Sequence, residues 1–182
     1  MAAGWRGGRR GQQRGGREIA FDEGKPVMAT REFVFRTAEV ARIAEVSLRQ
    51  LQIWEEKRVA VASRRGRVRI YDASQALFVV VCAELRRRGL SFQRLQRVAA
   101  ELRRIMVDYG VAEMAGHRQV FLLTDGRRVQ FADSPNKTCE LVLNLFRPFI
   151  CVNLSDCVQR IHNAALTENL RKSCSTACSP SK

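Results

Sequence analysis

The chain has 182 residues, 46% of them hydrophobic, and a formal net charge of +14 from 32 Lys and Arg against 18 Asp and Glu. That apolar content suits one or two small folded domains, and no stretch approaches the roughly 18–20 apolar residues of a membrane helix. The excess charge is mostly Arg and favours a polyanionic partner, of which nucleic acid is the commonest; a soluble cytoplasmic protein with no membrane partner is the expectation.

Residues 1–32 read as a disordered tail, because Gly4-Trp5-Arg6-Gly7-Gly8-Arg9-Arg10 is rich in Gly and Arg without apolar periodicity. Such a tail either adds non-specific nucleic-acid affinity or is an unselected leader. Residues 31–108 carry 17 basic and 9 acidic side chains, so the electrostatic candidate lies there. Order begins near Phe33-Val34-Phe35. Thr37 is placed to cap a first helix, with Glu39 in its first turn and Val40, Ala41, Ile43 and Ala44 on its apolar face. After a short turn at Glu45-Val46, Ser47 caps a second helix, and Gln50 stands three residues on, a capping-box spacing. Leu51 and Trp54 form its apolar edge. Two short helices so joined are a helix-turn-helix candidate.

A two-stranded wing is expected next. Val59-Ala60-Val61 is its first strand, Arg64-Arg65-Gly66-Arg67 its charged turn, and Val68-Arg69-Ile70-Tyr71 its alternating second strand. A third helix runs from about Ser74 to Arg88 and stops at Gly89, with Arg86-Arg87-Arg88 complementing its dipole. Ser91 caps a fourth helix to about Met106, where Leu95, Val98, Ala99, Leu102 and Ile105 recur at helical spacing.

This order of elements resembles the DNA-binding domain of the MerR family of bacterial transcription regulators over about residues 36–106. The family opens with a segment similar to Phe35-Arg36-Thr37-Ala38-Glu39-Val40-Ala41, and its recognition helix resembles Val46 to Glu55. Its wing ends in an Arg-x-Tyr matched by Arg69-Ile70-Tyr71, and its next helices meet at a turn matched by Gly89-Leu90-Ser91. The chain departs from the family in four places. Arg58-Val59 stands where the family has Gly-Leu, and Ala62 where it has Pro. Gln52-Ile53-Trp54 replaces an Arg-Tyr-Tyr, and the fourth helix ends near Tyr109-Gly110 without the family's long antiparallel dimerisation helix.

The resemblance implies double-stranded DNA as partner and residues 33–109 as the reading domain. Arg49 and Gln50, early in the second helix, are expected in the major groove, since Arg pairs with guanine and Gln with adenine; the alternative is a solvated helix face. Gln52 is a further candidate on that helix, and Ser47 is either only a cap or also a phosphate contact. Arg64, Arg65, Arg67 and Arg69 are expected on phosphates or in the minor groove, or else merely keep a hairpin soluble. Tyr71 either lies near the DNA backbone or packs the wing, Arg36 is a start-of-domain phosphate candidate, and Trp54 is expected to anchor the helix.

Residues 117–166 form a separate pattern, so the fold class is mainly α with a β wing, followed by a small α+β unit of order β-β-α-β-α. Val120 to Leu123 and Arg128 to Phe131 flank an Asp125-Gly126 hairpin turn. A helix from about Lys137 to Phe146, a strand Phe149–Leu154, and a helix capped by Ser155 to about Ala165 follow, with residues 167–182 a flexible tail. A unit this small gains from docking. It is expected to serve homodimerisation or to bind a protein or small-molecule effector, though no convergent polar cluster marks a ligand pocket. The six Cys are expected as reduced thiols; Cys174 and Cys178 have a possible metal-ligand spacing but no nearby His, so no metal or other cofactor is expected. No Gly-rich phosphate loop, His-Glu-x-x-His or Gly-x-Ser-x-Gly occurs, so no enzyme is expected. A sequence-specific regulator is the leading reading. A DNA-bending, excisionase-like module and a protein-interaction module addressed to DNA are the alternatives.

Overall fold

The computed structural model describes residues 33–108, 119–145 and 148–177. The chain runs β1 (Val34–Arg36), α1 (Thr37–Ala44), α2 (Leu48–Glu56), β2 (Ser63–Arg65), β3 (Val68–Asp72), α3 (Ala73–Arg87) and α4 (Phe92–Asp108). Then follow β4 (Phe121–Thr124), β5 (Val129–Ala132), α5 (Pro135–Leu145), β6 (Ile150–Asn153) and α6 (Leu154–Ala177). The described chain is mainly helical with two small antiparallel sheets, ordered β1-β3-β2 and β5-β4-β6.

Several boundaries differ from the sequence reading, each for a local reason. Arg36, not Thr37, is the N-cap of α1, and its amide donates to Glu39 Oε2 at 2.5 Å. The expected first wing strand, Val59-Ala60-Val61, is not a strand. The amides of Val59 and Ala60 donate to Trp54 O at 2.8 and 3.1 Å, closing α2, and both side chains are buried. Pairing starts only at Ser63, opposite Ile70. Phe33-Val34-Phe35 leads into a third strand, with Phe35 opposite Tyr71. Asp72 caps α3 in a capping box with Gln75, so that helix starts before Ser74. Ser134 caps α5, which begins at Pro135 rather than Lys137. Asn153 Oδ1 accepts from Ser155 N, while Ser155 Oγ accepts instead from Val120 N. The last helix also continues well past Ala165, to Ala177, through residues expected as a tail.

α3 explains the architecture. Ten of its fifteen residues are buried, including the unbroken run Phe78 to Ala83. A helix apolar on every side must be covered on every side. The winged half supplies α1, β3 and α4, and the C-terminal half supplies α6 and β6. Leu154, Cys157, Ile161 and Ala165 recur on one stripe of α6 and are all buried in the same apolar cluster as α1 to α4. The C-terminal unit therefore docks on its own winged half. Arg160 reinforces the seam: its guanidinium donates to Glu84 Oε1 at 2.8 Å, to Glu45 Oε1 at 3.0 Å and to Ile43 O at 2.6 Å.

Burial also sets an alkaline limit on stability. Desolvation pushes Tyr71 and Cys82 far above their ordinary pKa, and Cys157 up to about 12 from 9.0. The folded state thus keeps protons that the unfolded chain releases above pH 9–10. Their stabilising contribution is complete below that range and is lost as pH rises through it. The urea midpoint is expected to fall steadily above about pH 9; a midpoint that stays flat to about pH 11 would show that these groups titrate freely.

Candidate nucleic-acid interface

α2 holds its position through two buried residues, Leu51 and Trp54, which fix the opposite face outward. Its start is a reciprocal capping box: Ser47 Oγ accepts from Gln50 N at 3.1 Å, and Gln50 Oε1 accepts from Ser47 N at 2.9 Å. Gln50 is exposed, but its carbonyl oxygen serves the cap, whereas reading adenine takes both ends of the amide. Arg49 and Gln52 are exposed one turn apart, and Gln52 Nε2 donates to Glu56 Oε1 at 2.9 Å. Leu48, 56% exposed at the head of the helix, was not among the residues singled out from the sequence. An apolar residue beginning a helix looks like core by pattern, and only the packing shows that this one faces out.

The wing is a tight hairpin. Arg65 pairs with Val68 across Gly66-Arg67, and Gly66 has φ +63, a backbone state that glycine adopts without steric cost. Arg64, Arg65 and Arg67 are exposed, and none makes a side-chain hydrogen bond or ion pair among the described residues. Arg69 differs: its guanidinium is ion-paired with Glu55 at the end of α2. Tyr71 is fully buried, and its hydroxyl donates to the other oxygen of the same carboxylate. Of the two roles open for Tyr71, the structure gives it packing, and Glu55 is the residue that ties the wing to α2. Ser63 and Gln75 make a second tie, from β2 to α3. Arg36 is exposed at the start of α1, on the strand that pairs with β3.

The turn after α2 contains the other notable geometry. Arg58 has φ +56, left-handed for a residue with a Cβ. Its carbonyl and that of Val59 accept from Arg103 Nη2 at 3.2 and 2.7 Å, and the Arg103 guanidinium lies 5.0 Å from the Phe78 ring centroid. α4 thus braces the turn between helix and wing. Neither Arg58 nor Arg103 was singled out from the sequence. Arg58 stands where the family carries Gly, which was the available signal.

Residues 35–102 match the family model described as MerR HTH family regulatory protein. These residues form a MerR-type helix-turn-helix domain. The match runs from β1 into α4, so the MerR-type domain covers α2, the wing and the Arg58 turn, while β4 to α6 lie outside it. The family's description is of helix-turn-helix regulatory proteins. No curated protein matches the chain. Among the described residues, no helix is long and apolar enough to cross a membrane, and no group of three or more His, Cys, Asp or Glu is placed to hold a metal. Of the Cys174/Cys178 pair, Cys174 lies on α6 and Cys178 lies outside the described residues.

Proposed function

We propose that the chain is a sequence-specific DNA-binding transcription regulator that reads double-stranded DNA with residues 47–57 and grips the backbone with the wing. The observation that carries this reading is the shared exposure of Arg49 and Gln52 on α2 and of Arg64, Arg65 and Arg67 on the wing, within a MerR-type domain. Arg49 suits a guanine edge, Gln52 a base edge beside it, and Leu48 a thymine methyl group. The wing arginines suit phosphates or the minor groove, with Arg36 as a further phosphate contact. Ser47 and Gln50 hold the start of the helix at the DNA, and Arg69 and Tyr71 hold the wing.

We further propose a homodimer on two half-sites, since one reading helix specifies only a short sequence. The C-terminal unit, which lies outside the matched domain, is the proposed contact between copies. A monomer at micromolar concentration in analytical ultracentrifugation would remove the dimer. The same unit is open to a protein or small-molecule effector.

Selection of bound sequences from random duplexes tests the main reading; it should return a defined site with related halves. Arg49→Ala should lower specificity and affinity together, by about 1–3 kcal/mol at one base position. Arg67→Ala should weaken all sequences alike and make the slope of log affinity against log salt shallower by about one unit. Strong bending with no preferred sequence would favour an architectural role instead. Parent-like binding by both variants would remove the helix and the wing from the interface.

A further inference from the structure

A groove of about 440 Å³ lies between the end of α2, the wing and α4. Its charged lining is Arg58, Arg64, Arg69 and Arg103 with Glu55 and Glu56. Both carboxylates are engaged. Glu55 accepts from Arg69 and Tyr71, and Glu56 accepts from Gln52. Two guanidiniums are engaged as well, Arg69 by Glu55 and Arg103 by the carbonyls of residues 58 and 59. Arg58 and Arg64 are exposed and have no side-chain partner among the described residues.

Arg58 is also one of two described non-glycine residues with positive φ. Glycine would take that conformation at no steric cost, so the arginine stands against the local backbone preference. A strained backbone position beside an open, positively charged groove points to a ligand for its side chain. The groove begins where the reading helix ends, and Arg64 belongs both to it and to the exposed wing row.

We propose that this groove seats a DNA backbone phosphate between the helix and wing contacts, with Arg58 as its main ligand and Arg64 as the second. The proposal rests on the DNA-binding reading above. Guanidinium forks match phosphate oxygens, and such a contact sets the register of α2 on the duplex without reading sequence. The braced turn holds the Arg58 backbone still, so the side chain is presented rather than left to wander.

The test uses the full chain, a fluorescent random-sequence duplex and a salt series read by anisotropy. Arg58→Gly should melt at or above the parent temperature, because it relieves the left-handed backbone. It should nevertheless bind the duplex about tenfold more weakly at low salt, with a slope shallower by about one unit. Arg58→Lys should keep most of the salt slope, since it keeps the charge. Equal affinity and equal slope for Arg58→Gly and parent would overturn the proposal. If Arg58→Gly melts lower than parent, Arg58→Asn, which removes the charge and tolerates a left-handed backbone, carries the same measurement and the same criterion. Failure here is separable from failure of the DNA reading. If the parent binds and Arg67→Ala weakens it while Arg58→Gly does not, only the groove falls. If the parent binds no duplex at any salt, both fall.

Discussion

Glu55→Ala is expected to destabilise the fold by about 2–3 kcal/mol, at the upper end for hydrogen bonds to a charged group. The carboxylate side chain is only 11% exposed, and it holds both the Arg69 guanidinium and the buried Tyr71 hydroxyl. Removing it strands a buried phenol donor beside a loosened cation, which costs more than deleting both partners together. The wing should suffer more than the core. Amide exchange at residues 69–71 should accelerate, while α3 stays protected in proportion to global stability. Glu55→Gln should recover part of the loss, because an amide oxygen still accepts from Tyr71 but no longer neutralises Arg69. Unchanged urea midpoint and unchanged wing exchange in Glu55→Ala would mean that the Ser63–Gln75 tie alone fixes the wing.

Ile161→Ala is expected to lower stability by about 2–5 kcal/mol, the range for a large-to-small change in a packed core. The residue is 6% exposed and sits on the α6 stripe within the common apolar cluster. Its effect should reach the DNA-reading half, because α3 is shared between α1 on one side and α6 on another. Trp54 on α2 is a convenient reporter, being 5% exposed within the winged half. The chain has two tryptophans, so the measurement is made in a Trp5→Phe background. The Trp54 fluorescence transition in urea should shift together with far-ultraviolet circular dichroism, as one cooperative step. A Trp54 transition that stays at the parent midpoint while the circular dichroism splits would show two independently folding halves. Arg160→Ala should give a smaller shift of the same kind, since Glu84 retains Arg87 at 3.1 Å.

The elements legible in the sequence are those whose signals lie within a few residues of one another. Ser47 and Gln50 announce the head of α2 because each bonds the other's backbone. Gly89 announces the end of α3, with φ +96 and the Leu90 amide returning to Leu85 O at 3.0 Å. Asp125-Gly126 announces its hairpin, with Asp125 Oδ1 accepting from the amides of Arg127 and Arg128, bonds that hold its carboxyl below the usual carboxylate range. Arg49, Gln52 and the wing arginines could be named as candidates because polar and charged side chains on a short amphipathic helix and on a hairpin tip have nowhere to go but outward.

The sequence by itself determined the order of the helices and the two hairpins, the basic middle segment and the resemblance to a winged reader. Tertiary structure decided which arginines are available and what holds the two halves together. Arg69 and Arg64 look equivalent in sequence, yet Arg69 is taken by a glutamate 14 residues upstream and Arg64 is not. β1 is three residues long and becomes a strand only because β3 offers it a partner. Arg160 reaches Glu84 and Glu45 from 76 and 115 residues away. Capping and turn chemistry act over one helical turn and leave a mark on neighbouring residues. Ion pairing and core packing act between segments that meet only on folding, and the local pattern is the same whichever partner is chosen.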